Sequence, residues 1–456
     1  MKLRSTLRIR FAWQDLLCSH CLVARVLIST LLFAFVPWSM AIDRAAIDSW
    51  LATDQVIEIG DDEVVTQENL AALSQVVPPG YIEKMDFPEV QIEFSPVTDQ
   101  PPHESYQRAT EKFAAQSKLA TNGALENYTA GRPFSESQIE SADAQSAGSM
   151  IAWNSNFRWN FYGYRAKEFL MCYMTAGNGE AKNLPEPWGG TGSCDRKFTV
   201  TFQRVYLAHL AMLPEQNYRM DVGDSERLHY KDVMQFTDPF DMAGTAFMIE
   251  RPLAFGEDDQ VQSYLPGERR VRRLSARERA DSFIGSDYTL DDLEAWSGKV
   301  ADYDWNFLGP RAVIGVVNTK WPTSRFQGPL SDIPDDRWEI RDTYVVSAKP
   351  KWDEHPYAER IMFFDRQTYV VLMTLVINRA GDLWKVMYPI YAWSADDDDV
   401  GDIQPGDTVT QWRSSVSIDV LNDKSSVTQS QGTDMPVVDP KLIRRVFSAS
   451  ALTGGR

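Results

Sequence analysis

Few groups of residues in this chain are spaced for chemistry. Cys172 and Cys194 stand 22 positions apart and could form a disulfide, part of a zinc site, or a thiolate nucleophile. Zinc would need further ligands, and His103, His209, His229 and His355 fall at no spacing that a metal site uses. G-x-S-x-G, H-E-x-x-H, G-x-G-x-x-G and P-loop patterns are missing, which removes the easily read hydrolases, zinc proteases and nucleotide binders. Acids are plentiful, but their order along a chain does not show two carboxylates facing a sugar. The chain therefore reads as a non-enzyme without cofactor or metal, with a cryptic hydrolase as the least favoured alternative.

The remaining clusters suit binding rather than bond-making. The run Asp396–Asp399 has the hard oxygens that Ca2+ takes, but it lacks the alternating spacing and closing Glu of an EF-hand loop, so a solvated turn is expected. RRVRR, from Arg269 to Arg273, is the densest basic cluster of an acidic chain. Arg270 and Arg272 could meet an anionic group, or alternate arginines could form a solvated row along a strand. The segment FRWNFYGYRAKEFLMCYM, residues 157–174, is the most aromatic stretch. Its rings suit an irregular apolar ligand and also build ordinary cores.

These residues need a scaffold, and apolar periodicity supplies one. Before Pro133 the text reads helical in AAIDSWLATDQV, in TQENLAALSQVV behind a Thr66 cap, and in HESYQRATEKFAAQSKLA. FPEVQIEFSPVT between them is extended, and its prolines suggest a wrapping arm. SESQIESADAQSAGS reads as a polar loop or linker reaching Ser149. From Ile151 to about Trp393 strands dominate. Phe198, Val200, Phe202, Tyr206, Leu210 and Met212 share one parity, and VQSYLPGERRVRRL is a hairpin around Pro266-Gly267. RWEIRDTYVVSA, ERIMFFD, TYVVLMTLVIN and LWKVMYPIYAW continue an antiparallel meander. The last two strands are apolar on both faces, so they are covered on both sides by helices or line a cavity. TLDDLEAWSG predicts a short helix capped by Thr289 and stopped by Gly298. QWRSSVSIDV looks like a further strand, Asn422 to Thr433 a polar segment, and LIRRVF a terminal element.

Lys2, Arg4, Arg8 and Arg10 precede an apolar run from Val26 to Val36, about half the roughly 20 residues a spanning helix needs. A signal peptide over residues 1–41 is expected, cleaved after Ala41 behind Ser39. Its removal leaves 41 basic against 63 acidic side chains, a net charge near −22. Such a chain repels nucleic acids and anionic lipid surfaces, and nucleic acid is excluded as a partner. Export also favours a Cys172–Cys194 disulfide, worth about 3 kcal/mol by loop closure. Residues 42–150 are expected to form a helical arm and linker, 151–400 a curved-sheet domain and 401–456 a terminal strand and tail.

Several strings together resemble an exported proteobacterial family of unassigned function labelled outer-membrane lipoprotein-sorting-like. They are NGALENYTAGRPF (122–134), AWNSNFRW (152–159), YLPGERRVRRL (264–274), GSDYTLDDLEAWSG (285–298), YDWNFLG (303–309) and DLWKVMYPIYAW (382–393). The hairpin and GSDYT segment are also similar to the wider group containing the lipoprotein carrier LolA and its receptor LolB. The resemblance implies an α+β fold: a strongly curved antiparallel sheet, an incomplete barrel, with helices covering a hydrophobic cavity. It further implies a periplasmic role beside an exporter of the resistance-nodulation-division type. The leading expectation is a periplasmic carrier of a lipid, acylated protein or similar molecule; a ligand-free adaptor of an envelope complex is the alternative. Trp159, Phe161, Tyr162, Tyr164, Phe202, Tyr206, Tyr264, Met373, Leu375, Trp384 and Tyr388 are the cavity candidates.

Overall fold

Alternating apolar side chains are the mark of strands with a buried face, and in the computed structural model they build one sheet of sixteen strands among the described residues, 41–396, 407–434 and 439–453. The expected signal peptide up to Met40 and the acidic run's Asp397–Asp399 lie outside those residues.

The long strands are β1 (Gly163–Ala176), β2 (Gly192–Tyr206), β3 (Leu228–Asp238), β4 (Ala246–Pro252), β5 (Gln260–Leu265) and β6 (Arg270–Leu274). They continue with β7 (Tyr303–Gly315), β8 (Arg337–Pro350), β9 (Tyr357–Asp365), β10 (Val371–Asn378), β11 (Leu383–Trp393), β12 (Thr410–Asp419) and β13 (Lys424–Ser430). Across the sheet the order is β8-β9-β10-β11-β12-β13-β1-β2-β3-β4-β5-β6, with β7 also paired to β8. Each of these long-strand pairings is antiparallel; Arg337 and Trp338 pair in parallel with Glu93 and Phe94. The fold is thus α+β with a large curved sheet that does not close into a barrel. Two meanders, β1–β6 and β8–β13, meet where Ser425–Ser430 of β13 lie against Met174–Phe169 of β1. Beside this seam Cys172 and Cys194 form a disulfide between β1 and β2, with Cα atoms 5.5 Å apart.

Both faces of β10 and β11 are covered. One face presents Leu375, Ile377, Val386 and Tyr388 to the N-terminal arm, whose helix α1 (Arg44–Ala52) contributes Ile47 and whose 3-10 turns contribute Leu73 and Val76. Trp50 meets Phe363 at 6.0 Å and Tyr81 meets Tyr388 at 5.0 Å between ring centres. The opposite face presents Val376 and Met387 within a core that holds Ile151 and Ala152 of a helix. After α2 (Glu104–Phe113) come α3 (Glu136–Ser141) and this covering helix, α4 (Ala144–Asn156).

Helices α3 and α4 overturn the linker expected over SESQIESADAQSAGS, and the long strands begin at Gly163 rather than Ile151. Polar residues there are caps and small contacts. Ser135 and Gln138 form a capping box, and Asp143 accepts from the backbone of Gln145 and Ser146. Ala147, Gly148 and Ala152 let α4 lie close on β7. The strand expected as far as Met212 stops at Tyr206. Asn422–Thr433, expected as a polar segment, is mostly β13, buried in the middle of the sheet.

Candidate functional site

The segment Gly285–Gly298 packs as a plug against β10, β11 and β12, fastened by its acids. Thr289 caps it as expected: its hydroxyl accepts from Asp291 N at 3.2 Å, and Asp292 Oδ2 accepts from Thr289 N at 2.6 Å. No regular helix follows, because Leu293 is extended and Glu294 and Ala295 take positive φ of 56° and 64°. This backbone sends successive acids to different strands. Asp292 accepts from Arg360 Nη1 at 2.5 Å and from Tyr357 OH at 2.9 Å. Glu294 accepts from Tyr164 OH at 2.7 Å and pairs with Arg158. Asp287 is held through its carbonyl by Lys385 Nζ at 2.7 Å and Ser417 Oγ at 3.1 Å, and through its carboxylate by Ser426 Oγ at 3.1 Å. Asp291 pairs with Arg279, which also meets Asp259.

Asp292 and Arg360 are both fully buried. Burial would push the Asp292 carboxyl up, but Arg360 and Lys385 hold it below its ordinary value. Burial would likewise lower Arg360, and the Asp292 charge raises it instead. The pair is therefore ionised, and each partner is needed because the other is in the interior.

Between the plug and strands β1–β4 runs a narrow slot of about 60 Å³, partly open to solvent. Its apolar walls are Phe169 and Met171 of β1, Phe202 of β2, Met234 of β3, Phe247 of β4, and Phe283 and Leu293 from the plug side. Cross-strand register explains the wall: Phe202 pairs with Met234 and Met234 with Phe247, so all three share one face. The polar floor is already engaged. Arg204 grips Asp232 through two 2.7 Å bonds, and Ser415 Oγ accepts from Trp412 Nε1 at 2.8 Å. Tyr288 is different: its buried hydroxyl stands by Thr428 without an aligned hydrogen bond, and burial pushes its pKa well up, so it remains a donor.

The residues expected to line a cavity are dispersed. Phe202 lines the slot, and Tyr164 borders it through Glu294. Trp159 and Phe161 pack at 4.9 Å with His103 nearby, and Trp159 Nε1 donates to Thr408 O at 2.7 Å. Tyr162 and Tyr206 belong to a separate core with Phe447, and Tyr264 packs near Met248 and Leu452. Met373, Leu375 and Tyr388 lie in the filled main core, while Trp384 stands against Tyr357 and donates to Asp419 at 3.1 Å. Arg270 and Arg272 are exposed on β6 with Glu268 between them. Of the residues not anticipated, Phe169 and Met171 of the wall lie in the aromatic segment 157–174; Arg360, which holds the plug, is signalled only by a cation inside an apolar strand.

Among the described residues no cluster of His, Cys, Asp and Glu could hold a metal ion, and no helix is long and apolar enough to cross a membrane. A family model for a protein of unknown function (DUF1329) matches residues 64–453. Three solved structures are similar. A domain described as outer-membrane lipoprotein-sorting from Vibrio parahaemolyticus is 18% identical over 66% of this chain and 97% of that one, with a TM-score of 0.43. A DUF1329 family protein from Desulfovibrio piger is 16% identical over 68% and 100%, at 0.44. A LolA superfamily protein from Nitrosomonas europaea is 12% identical over 67% and 98%, at 0.36. No curated protein matches the chain.

Proposed function

The chain belongs to the DUF1329 family of proteins of unknown function, and from that premise we propose that it binds and carries a hydrophobic molecule in the slot between plug and sheet. One observation carries the reading: the walls are apolar while the charges of the floor are held in ion pairs with one another. A ligand entering there gains mainly by removing apolar surface from water, about 0.8 kcal/mol for each buried methylene. At about 60 Å³ the slot is smaller than the roughly 300–1,000 Å³ typical of small-molecule sites, so a ligand enters as its rings and methionines, which adapt to an irregular shape, shift aside. Tyr288 supplies one hydrogen-bond donor for a carbonyl or hydroxyl on the ligand.

A lipid or an acylated protein has this chemistry. The role is that of a carrier rather than an enzyme, because the acids and bases nearest the slot are committed to holding the plug. The carrier works in the periplasm after loss of the leader, with a resistance-nodulation-division exporter as its expected neighbour; the first point rests on the sequence and the second on the family resemblance. The site is Phe202 with Phe169, Met171, Met234, Phe247 and Tyr288, and not the strand pair β10–β11, whose two faces are filled.

The test uses residues 42–456, stripped of lipid, with displacement of a fluorescent fatty acid and mass spectrometry of organic extracts from the freshly purified protein. Saturable displacement and a co-purified amphiphile are expected. No displacement and no extracted lipid would leave the slot a packing defect and the adaptor reading in its place.

A further inference from the structure

Phe240 is 97% exposed, and nothing in the sheet's packing requires it there. It stands in the turn between β3 and β4, flanked by Met242, which packs partly against the main core. In an antiparallel meander the β3–β4 and β5–β6 turns lie at the same end, and they touch: a methyl on Gly244 would stand 3.2 Å from Pro266 Cγ. The second turn brings Leu265, 36% exposed, and four arginines against one glutamate between Glu268 and Arg273. Arg270 and Arg272 share Glu268, at 3.6 and 2.5 Å, so together they keep a net positive charge. On the first turn Asp241 is neutralised by Arg196 at 3.0 Å, and Asp238 is exposed. Phe247, which lines the slot, lies one residue inside β4, so the slot's wall begins beside this tip.

We propose that this end of the sheet docks on an anionic phospholipid surface, with Phe240 entering the head-group layer and Arg269, Arg270 and Arg272 meeting lipid phosphates. Net charge alone predicts repulsion. At physiological ionic strength, however, charges beyond about 8 Å are largely screened, so the tip rather than the whole chain meets the surface. An exposed aromatic beside basic residues is the composition of surface-binding segments. The docked tip sets the slot's rim at the membrane, which extends the carrier reading and shares with it only the slot.

The experiment is co-sedimentation of residues 42–456 with vesicles of phosphatidylcholine alone and of phosphatidylcholine mixed equally with phosphatidylglycerol. Binding to the mixed vesicles is expected, weakened about tenfold by Phe240→Ser and by Arg269→Glu with Arg272→Glu, and weakened by salt. Equal binding to both vesicle types, no binding, or wild-type binding by Phe240→Ser would overturn the proposal. Fatty-acid displacement is run beside it. Phe240→Ser should keep wild-type displacement; displacement without vesicle binding removes the docking surface alone, whereas loss of displacement in the wild type removes the carrier reading.

Discussion

Replacing Asp292 with Asn leaves the shape of the plug and removes its most deeply placed charge. Arg360 is fully buried and two of its nitrogens, Nε and Nη2, have no hydrogen-bond partner, so Asp292 is the carboxylate that compensates it directly. Lys385, also buried, faces the same carboxylate. Breaking a buried pair from one side typically costs about 3–5 kcal/mol. With an unfolding entropy scaled to this chain length, that loss lowers Tm by roughly 3–6 °C. Calorimetry of the wild type, Asp292→Asn, Arg360→Met and the double variant closes a cycle whose coupling term isolates the pair. Removing both charges should recover most of the loss, because the desolvation of two ions disappears with their attraction. The Asp292 carboxyl is held below its ordinary value in the fold, so its contribution is present above an unfolded pKa of about 3.9. It is lost as pH falls through the lower folded value. The stability difference between wild type and Asp292→Asn should therefore be constant from neutral pH to about 4 and shrink below. A loss under about 1 kcal/mol in Asp292→Asn, or an additive cycle, would refute the account of the plug as ion-paired.

Other consequences follow from single contacts. Met234→Trp fills the slot from β3 and should weaken fatty-acid displacement by about tenfold or more while Tm moves little. Gly148→Ala places a methyl 2.8 Å from Asn306 N and 3.0 Å from Asn306 C, backbone atoms that cannot swing away. It should cost about 1–3 kcal/mol in urea unfolding. Burial pushes His209 and His355 down to about 4, against an ordinary value near 6.5. The unfolded chain then binds protons that the fold refuses, so stability should decline from about pH 6.5 toward 4, and His209→Phe should flatten part of that slope in pH-dependent melting.

The meander was legible because one face of each strand is buried, which writes a period of two into the sequence. The family resemblance, drawn from strings spread over the chain, agrees with the family match. Legibility failed where a side chain's partner lies far away in sequence. Ser426 reads as part of a polar segment because its partner is Asp287, more than a hundred residues earlier. Ser135, Asp143 and Gly148 read as a linker, although the first two are caps and the third is a contact with β7. The two-faced strands β10 and β11 required cover on both sides, but periodicity does not distinguish packed segments from a ligand. The slot lies elsewhere because its wall needs Phe202, Met234 and Phe247 in cross-strand register, and register is not written in the alternation of a single strand.

The seam between β13 and β1 also fixes an order of assembly. Each meander is made of neighbours in sequence and can form from local contacts, but β1 waits for a strand about 250 residues further along the chain. The slot straddles that join, with Phe169 and Met171 on its β1 side and Ser415 and Thr428 on β12 and β13. A chain emerging N-terminus first therefore has a complete scaffold for the plug only when its last sheet strands arrive. On the proposed reading, ligand capture is then a property of the finished molecule, and a nascent or C-terminally clipped copy would carry no cargo.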